Sequence, residues 1–266
     1  MKNSKNDNVL GRCFSMCPAK EIAMRSENKL VHRFEKDENG KPSNLIKEFR
    51  RSAAGHFHKK PNELRPPVFC LKTARYLMTE ILFKHGLTKA VYHFVFDRLR
   101  SIRQDLIVQD NPDVPKSMHV LQICVRFHLL ASYKLSIEQN DHGGSELPFD
   151  KEFNFTQLLE CLKDLLVLYE MELTVPGNVI NGLDWNHKSQ IEAYAIYLII
   201  NLGSQHSINW GYNLPSFVRN NQLIGMALSL NGLYREKNFV RFFRLFKKLP
   251  IILKLAAHWN LPHVLW

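Results

Sequence analysis

Residues 94–109, Phe-Val-Phe-Asp-Arg-Leu-Arg-Ser-Ile-Arg-Gln-Asp-Leu-Ile-Val-Gln, carry two patterns at once. Val91, Val95, Leu99, Ile102 and Leu106 recur at helical spacing and make one apolar stripe. The remaining faces carry Asp97, Arg98, Arg100, Ser101, Arg103, Gln104 and Asp105. Asp97 and Arg100, three apart, can pair along the helix. A helix of this kind has two uses. Its charged groups either bond neighbouring segments of the same chain or face a partner or phosphate. Asp97, Arg98, Arg100, Arg103 and Asp105 are therefore a candidate structural polar network.

The rest of the chain supplies helices to pack against this one. No sustained period-2 alternation bounded by hairpin turns occurs, so strand signals are nearly absent. In order, Gly11–Pro18 reads as a compact loop after a disordered leader, residues 1–10. A helix is predicted from Pro18 to about Glu35, then an Asn39-Gly40 turn, then a short basic helix over Leu45–Ala54 and a loop over Gly55–Pro67. Pro66–His85, ended by Gly86, and Thr88–Gln109 follow as helices. Lys116–Gln139 is apolar over much of its girth, which requires burial and partners for Arg126 and His128. A linker or crossover is expected at 140–152. Asn154 with Gln157 reads as a capping box opening a helix to Glu172, and Ser189 with Glu192 as another before a helix over Ile191–Leu202. Turns are expected at Pro176–Asn186 and Asn209–Pro215, and helices at Pro215–Leu230 and Ile251–Trp259. The expectation is an all-α domain over 11–266, with about ten helices arranged as a bundle or a stack of helical hairpins.

Charge narrows the partners. The 266 residues carry 36 Lys and Arg against 25 Asp and Glu, a formal net charge of +11. Such an excess favours an anionic partner. It concentrates between Arg235 and Lys254, where seven Lys or Arg stand against one Glu. Lys237, Arg241, Arg244 and Lys248, spaced four, three and four, form one stripe opposite Phe239, Phe242, Phe243, Phe246 and Leu249. They are the candidate surface for nucleic acid or an acidic partner. No stretch reads as a membrane span and the N-terminus has no secretory pattern.

Signatures of catalysis are missing. There is no phosphate-binding glycine loop, no His-Glu-x-x-His and no Gly-x-Ser-x-Gly. Asp97 and Asp105 are surrounded by arginines, which suits ion pairing and not general acid chemistry. Cys13 and Cys17 with His56 and His58 form a thin zinc pattern, and packed thiols are the better reading. Five cysteines, an odd number, make no disulfide framework and point to a reducing compartment. The expectation is no enzyme, no cofactor, no metal, no membrane and no small-molecule substrate.

Read together, several blocks resemble the GANP/Sac-three family: Met16-Cys17-Pro18 with Glu21 and Arg25; Phe34-Glu35; Lys47-Glu48-Phe49-Arg50-Arg51-Ser52-Ala53-Ala54-Gly55; Glu63-Leu64-Arg65-Pro66; Phe96–Asp105; Arg126-Phe127-His128; and Asn238–Phe243. The resemblance implies a non-catalytic, PCI-like helical scaffold. In the large members it pairs with a PCI-type subunit and a small acidic companion in a nuclear complex coupling transcription to mRNA export. A small member is linked instead to centrosome duplication and spindle assembly, and this chain is similar to it in length. The implied locations are nucleus and cytoplasm, or centrosome and spindle; apart from the resemblance, the basic stripe Lys237, Arg241, Arg244 and Lys248 gives the alternative of a direct RNA-binding module. The family's helical array is normally followed by a winged helix. Only 20 residues follow Phe246, so no such module is recognisable and an exposed apolar end is expected.

Overall fold

A computed structural model of the chain describes residues 9–51, 60–111, 113–137, 147–173 and 185–261, with the side chains of 172–173 and 185–187 left aside. The fold is all-α. Among the described residues there is no strand, only one antiparallel bridge between Lys36 and Pro42 that closes the Asn39-Gly40 turn. Packing divides the chain into two compact units, one ending at Ile123 and including residues 147–148, the other formed by the rest from Cys124 onward.

The first unit contains α1 (Ala19–Glu27), α2 (Pro67–Tyr76), α3 (Lys89–Val108) and the start of α4 (Val114–Ile137). Helix α2 continues through a π-helical turn, Leu77–Leu82, into Phe83–His85 and stops at Gly86, whose φ is +71°. Helix α3 is the stretch 94–109 with one turn added, opened by the Thr88 hydroxyl accepting from Val91 N. It packs against α2 and the π turn, and Val91, Val95, Leu99, Ile102 and Leu106 are all buried.

Two sequence expectations fail here. Helix α1 ends at Glu27, not near Glu35. Leu30 N bonds back to Arg25 O at 2.8 Å and Lys29 takes a left-handed φ of +57°, which turns the chain out of the helix. His32 then caps a 3-10 turn, Arg33–Glu35. The basic helix expected over Leu45–Ala54 is absent over 45–51, which is extended; residues 52–59, with His56 and His58, lie outside the described residues.

The second unit is organised around α6 (Trp185–Ile200), which packs against α5 (Lys151–Leu173), α7 (Gln205–Tyr212), α9 (Gln222–Arg235) and α11 (Ile251–Ala257). Ala193, Tyr194, Ala195, Ile196, Leu198, Ile199 and Ile200 are buried in succession, as a helix with neighbours on all sides requires. Gly211 of α7 lets helices close up, since a Cβ there would lie 2.8 Å from the Leu228 side chain and 2.9 Å from that of Leu198. Helix α8 (Ser216–Arg219) and α10 (Phe239–Lys248) complete the unit.

Both expected capping boxes are wrong. Helix α5 starts at Lys151, with Asp150 Oδ1 accepting from Phe153 N at 2.9 Å. Asn154 is instead buried inside it, bonding His128 Nδ1 at 2.8 Å through Oδ1 and His128 O at 3.0 Å through Nδ2. That supplies the partner His128 needed, and Glu192 supplies one to Arg126 at 2.8 Å. Ser189 is likewise buried within α6, so Asn186 is helical; most of the turn expected at 176–186 lies outside the described residues. Asn209–Tyr212 is helix, not loop, because Ser204 caps α7 and carries it forward. The single helix expected over Pro215–Leu230 is two, divided where Asn221 Oδ1 accepts from Leu223 N and opens α9. Helix α11 ends at Ala257, short of Trp259, and residues 138–146 of the expected crossover lie outside the described residues.

One sequence reading on membranes also changes. Helix α4, 24 residues, is by length and composition apolar enough to cross a membrane. Met118, Val120, Leu121, Cys124, Val125, Phe127, Leu129, Ala131 and Leu135 are buried within the protein, so core packing accounts for its composition.

Asn231 joins three parts of the second unit. It is fully buried on α9, donates to Leu198 O of α6 at 2.9 Å and accepts from Gly203 N at 2.9 Å. Asn231→Ala leaves a buried donor and acceptor unmatched, each costing about 1–3 kcal/mol. Urea denaturation should show a matching loss of stability; a change within measurement error would contradict this role.

Candidate partner interface and the buried ionic network

The extended segment 45–51 is held by carboxylates. Ile46 N donates to Glu35 Oε1 at 2.9 Å, Glu48 N to Glu21 Oε1 at 2.8 Å and Phe49 N to Asp97 Oδ2 at 3.2 Å. Lys47 N donates to Met16 O at 3.1 Å. Four successive backbone donors are thus taken by groups outside the segment, among them Phe49 N, which would close the first i→i−4 bond of a helix begun at Leu45. This is why no helix forms there.

The same carboxylates bind arginines. Arg25, fully buried on α1, bonds Glu35, reaches Ile46 O at 3.1 Å and lies 3.3 Å from Glu48. Burial opposes its charge, but the Glu35 hydrogen bond and the Glu35 and Glu48 charges outweigh it and raise its pKa. Arg98 of α3 bonds Asp97 at 2.5 Å and Glu48 at 3.1 Å, lies 3.4 Å from Glu35, and stacks over the Phe94 ring at 4.6 Å. Arg100 lies 3.9 Å above the Phe49 ring and so pins the side chain of the strap. Arg103 is buried on the same helix.

Asp105, two turns beyond Asp97 on α3 and fully buried, holds a second group. It accepts from Lys47 Nζ at 2.5 Å and Arg65 Nε at 2.6 Å. Arg65, also fully buried, donates to Ser101 Oγ at 2.9 Å and Met16 O at 3.2 Å. Gln109 bonds Arg65 O at 2.9 Å, and its Oε1 accepts from Gly11 N at 2.7 Å. Gly11 has no room for a side chain, since a Cβ would lie 2.4 Å from Leu64 O. Helix α3 therefore gathers residues 11, 35, 47–49 and 65 onto one face, and Met16, Glu21 and Arg25 bond to these in turn. Sequence reading named Asp97, Arg98, Arg100, Arg103 and Asp105 but missed Glu21, Arg25, Glu35, Lys47, Glu48, Arg65 and Gln109 as their partners. The signal available was charge set among Cys, Pro and Phe within the quoted blocks.

Three of the thiols, Cys13, Cys17 and Cys70, lie in the first unit with this frame. All five cysteines are free and buried. Burial, assisted by Glu21, pushes the Cys17 thiol up to about 12; burial, partly opposed by Arg65, pushes Cys70 up to about 12. Neither is a ready thiolate ligand. Among the described residues no group of three or more His, Cys, Asp or Glu is placed to hold a metal ion.

The basic surface lies in the second unit, on α10. Asn238 Oδ1 accepts from Arg241 N and starts the helix at Phe239. Phe242 is fully buried, with Phe243 and Phe246 packed around it at 5.3 and 6.4 Å. Arg241, Arg244 and Lys248 are exposed together, joined by Lys247, which sequence spacing had not placed with them. Lys237 does not lie on this helix: it has φ +54° in the turn after α9, so the four-residue stripe is corrected to three of its members plus Lys247. Among the described residues none of the α10 cations forms an ion pair.

Removing one partner of a buried ion pair costs more than the pair contributes, roughly 3–5 kcal/mol. Arg65→Ala should therefore lower stability by about that amount, whereas Arg244→Ala should leave it within about 0.5 kcal/mol; comparable effects would contradict the assignment of frame and surface. Cys17 and Cys70 should resist a thiol-specific disulfide reagent at pH 8 until the protein unfolds. Fast labelling of either in the native protein would show that the pocket is open.

A sequence profile of the SAC3/GANP family matches residues 16–264. The chain is 27% identical over 246 residues to "Protein xmas" of Drosophila melanogaster, covering 88% of this chain and 11% of that protein. It is 27% identical over 232 residues to SAC3 family protein 1 of Schizosaccharomyces pombe, covering 86% and 21%. Against SAC3 family protein B of Arabidopsis thaliana the identity is 24% over 268 residues, covering 94% and 15%. The chain thus spans between about a tenth and a fifth of the length of these relatives. On the strength of a match running nearly its whole length, this chain belongs to the SAC3/GANP family.

Proposed function

We propose that the protein is a non-enzymatic helical scaffold of a nuclear complex that couples transcription to mRNA export. In this reading it engages a PCI-type subunit and a small acidic companion and is found in nucleus and cytoplasm. The observation that carries the reading is where the charged residues of the family-like blocks go. Glu21, Arg25, Glu35, Lys47, Glu48, Arg65, Asp97, Arg98 and Asp105 hold backbone and one another. They build a rigid frame in place of a reaction centre, as a presenter of surfaces requires.

Affinity purification of the tagged protein with mass spectrometry tests this. Recovery of a PCI-type subunit together with a small acidic protein, from nuclear extract, is the expected result. Recovery of centrosomal or spindle proteins without a PCI-type subunit would replace it with the centrosomal role.

A further inference from the structure

We infer that the outward face of α10 docks an acidic amphipathic helix of a partner protein, against Val240, Arg241, Arg244, Lys247 and Lys248. The inference rests on the scaffold reading and adds to it a location and a partner chemistry. At 3.6 residues per turn these five positions fall within an arc of about 120°. Every one is exposed, Val240 at 67%. Arg241 with Arg244, and Arg244 with Lys247 and Lys248, are like charges at three- and four-residue spacing, an arrangement that costs a helix stability. Lys247 and Lys248 are explained by the helix dipole, which favours cations in the last turn. Arg241 is not: it stands in the first turn, where the dipole opposes it, and no acidic residue is there to offset it. Arg25, Arg65 and Arg98 of the first unit are each matched to a carboxylate, whereas among the described residues the α10 cations make no ion pair. Opposite charge from outside the chain relieves this.

The shape of the face selects a protein helix over nucleic acid. A single-stranded nucleic acid uses exposed aromatic rings as stacking platforms. Here Phe242 is fully buried, and Phe243 and Phe246 pack around it. The outward apolar group is aliphatic, Val240, with Arg244 and Lys247 flanking it on the helix surface. An aliphatic spot among cations suits a helix that presents an apolar seam with carboxylates at i, i+3 or i+4, and i+7 beside it. Charge complementarity of this sort sets orientation and encounter rate.

Replacement of Val240 by a benzophenone amino acid in the full chain, followed by cross-linking in cells and sequencing of the attached peptide, tests the proposal. The expected adduct is a peptide with at least three Asp or Glu at helical spacing. Its yield should fall at least tenfold in R241E/R244E and persist in R241K/R244K. Both exchanged side chains are on the surface, so the variants should melt within a few degrees of one another. A nuclease-sensitive adduct, a peptide without acidic residues, an unchanged yield in R241E/R244E, or no adduct would overturn it. If R241E/R244E still co-purifies with the PCI-type subunit while one of these outcomes occurs, the docking face fails and the scaffold reading stands.

Discussion

Carboxylates that hold backbone are the constraint on which the first unit depends. Glu21, Glu35 and Asp97 each accept an amide of the strap 45–51 and each also meets an arginine. A carboxylate has about four acceptor sites, so one group can satisfy a backbone donor and a guanidinium together. Buried charge is costly alone, and the pairing is what makes its burial tolerable. The pairing also fixes register, because a strap displaced by one residue would leave carboxylates and amides unmatched in a low dielectric. What such a network contributes is a defined arrangement of segments far apart in sequence, more than net stability.

That arrangement connects the family resemblance to physics. The quoted blocks look unrelated along the chain, yet Met16, Lys47, Arg65 and Asp105 meet around α3 through hydrogen bonds of 2.5–3.2 Å, and Arg25 and Glu35 bond each other and Ile46. Their residue types follow from their tasks. Arginine suits 25, 65 and 98 because each guanidinium serves several acceptors in a fixed planar fork, a geometry the compact lysine ammonium does not offer. The second unit holds together differently, by apolar contact around α6 with single amides such as Asn154 and Asn231 closing buried gaps. The cations exposed on its α10 form no ion pair among the described residues.

Helices with a strong period were legible in the sequence. The stripe Val91–Leu106 marked α3, and Gly86 marked the end of the helix before it, because both signals are local. The strap was not legible, since its amides are taken by residues 21, 35 and 97, which no local window contains. Asn154 with Gln157 and Ser189 with Glu192 misled for a related reason. Amides and hydroxyls that would cap a helix end also satisfy buried groups inside one, and only the fold decides between the two uses. On α10 the cations were legible, but the left-handed Lys237 removed one of them and exposure added Lys247.

The central claim is that carboxylates, not a local helix or free solvent, hold the strap. Native-state hydrogen exchange of the Ile46, Glu48 and Phe49 amides measures this most directly. The account predicts protection close to that of amides in the middle of α3, lost together with them on global unfolding. Exchange as fast as an exposed turn such as Asn39–Lys41 would contradict it.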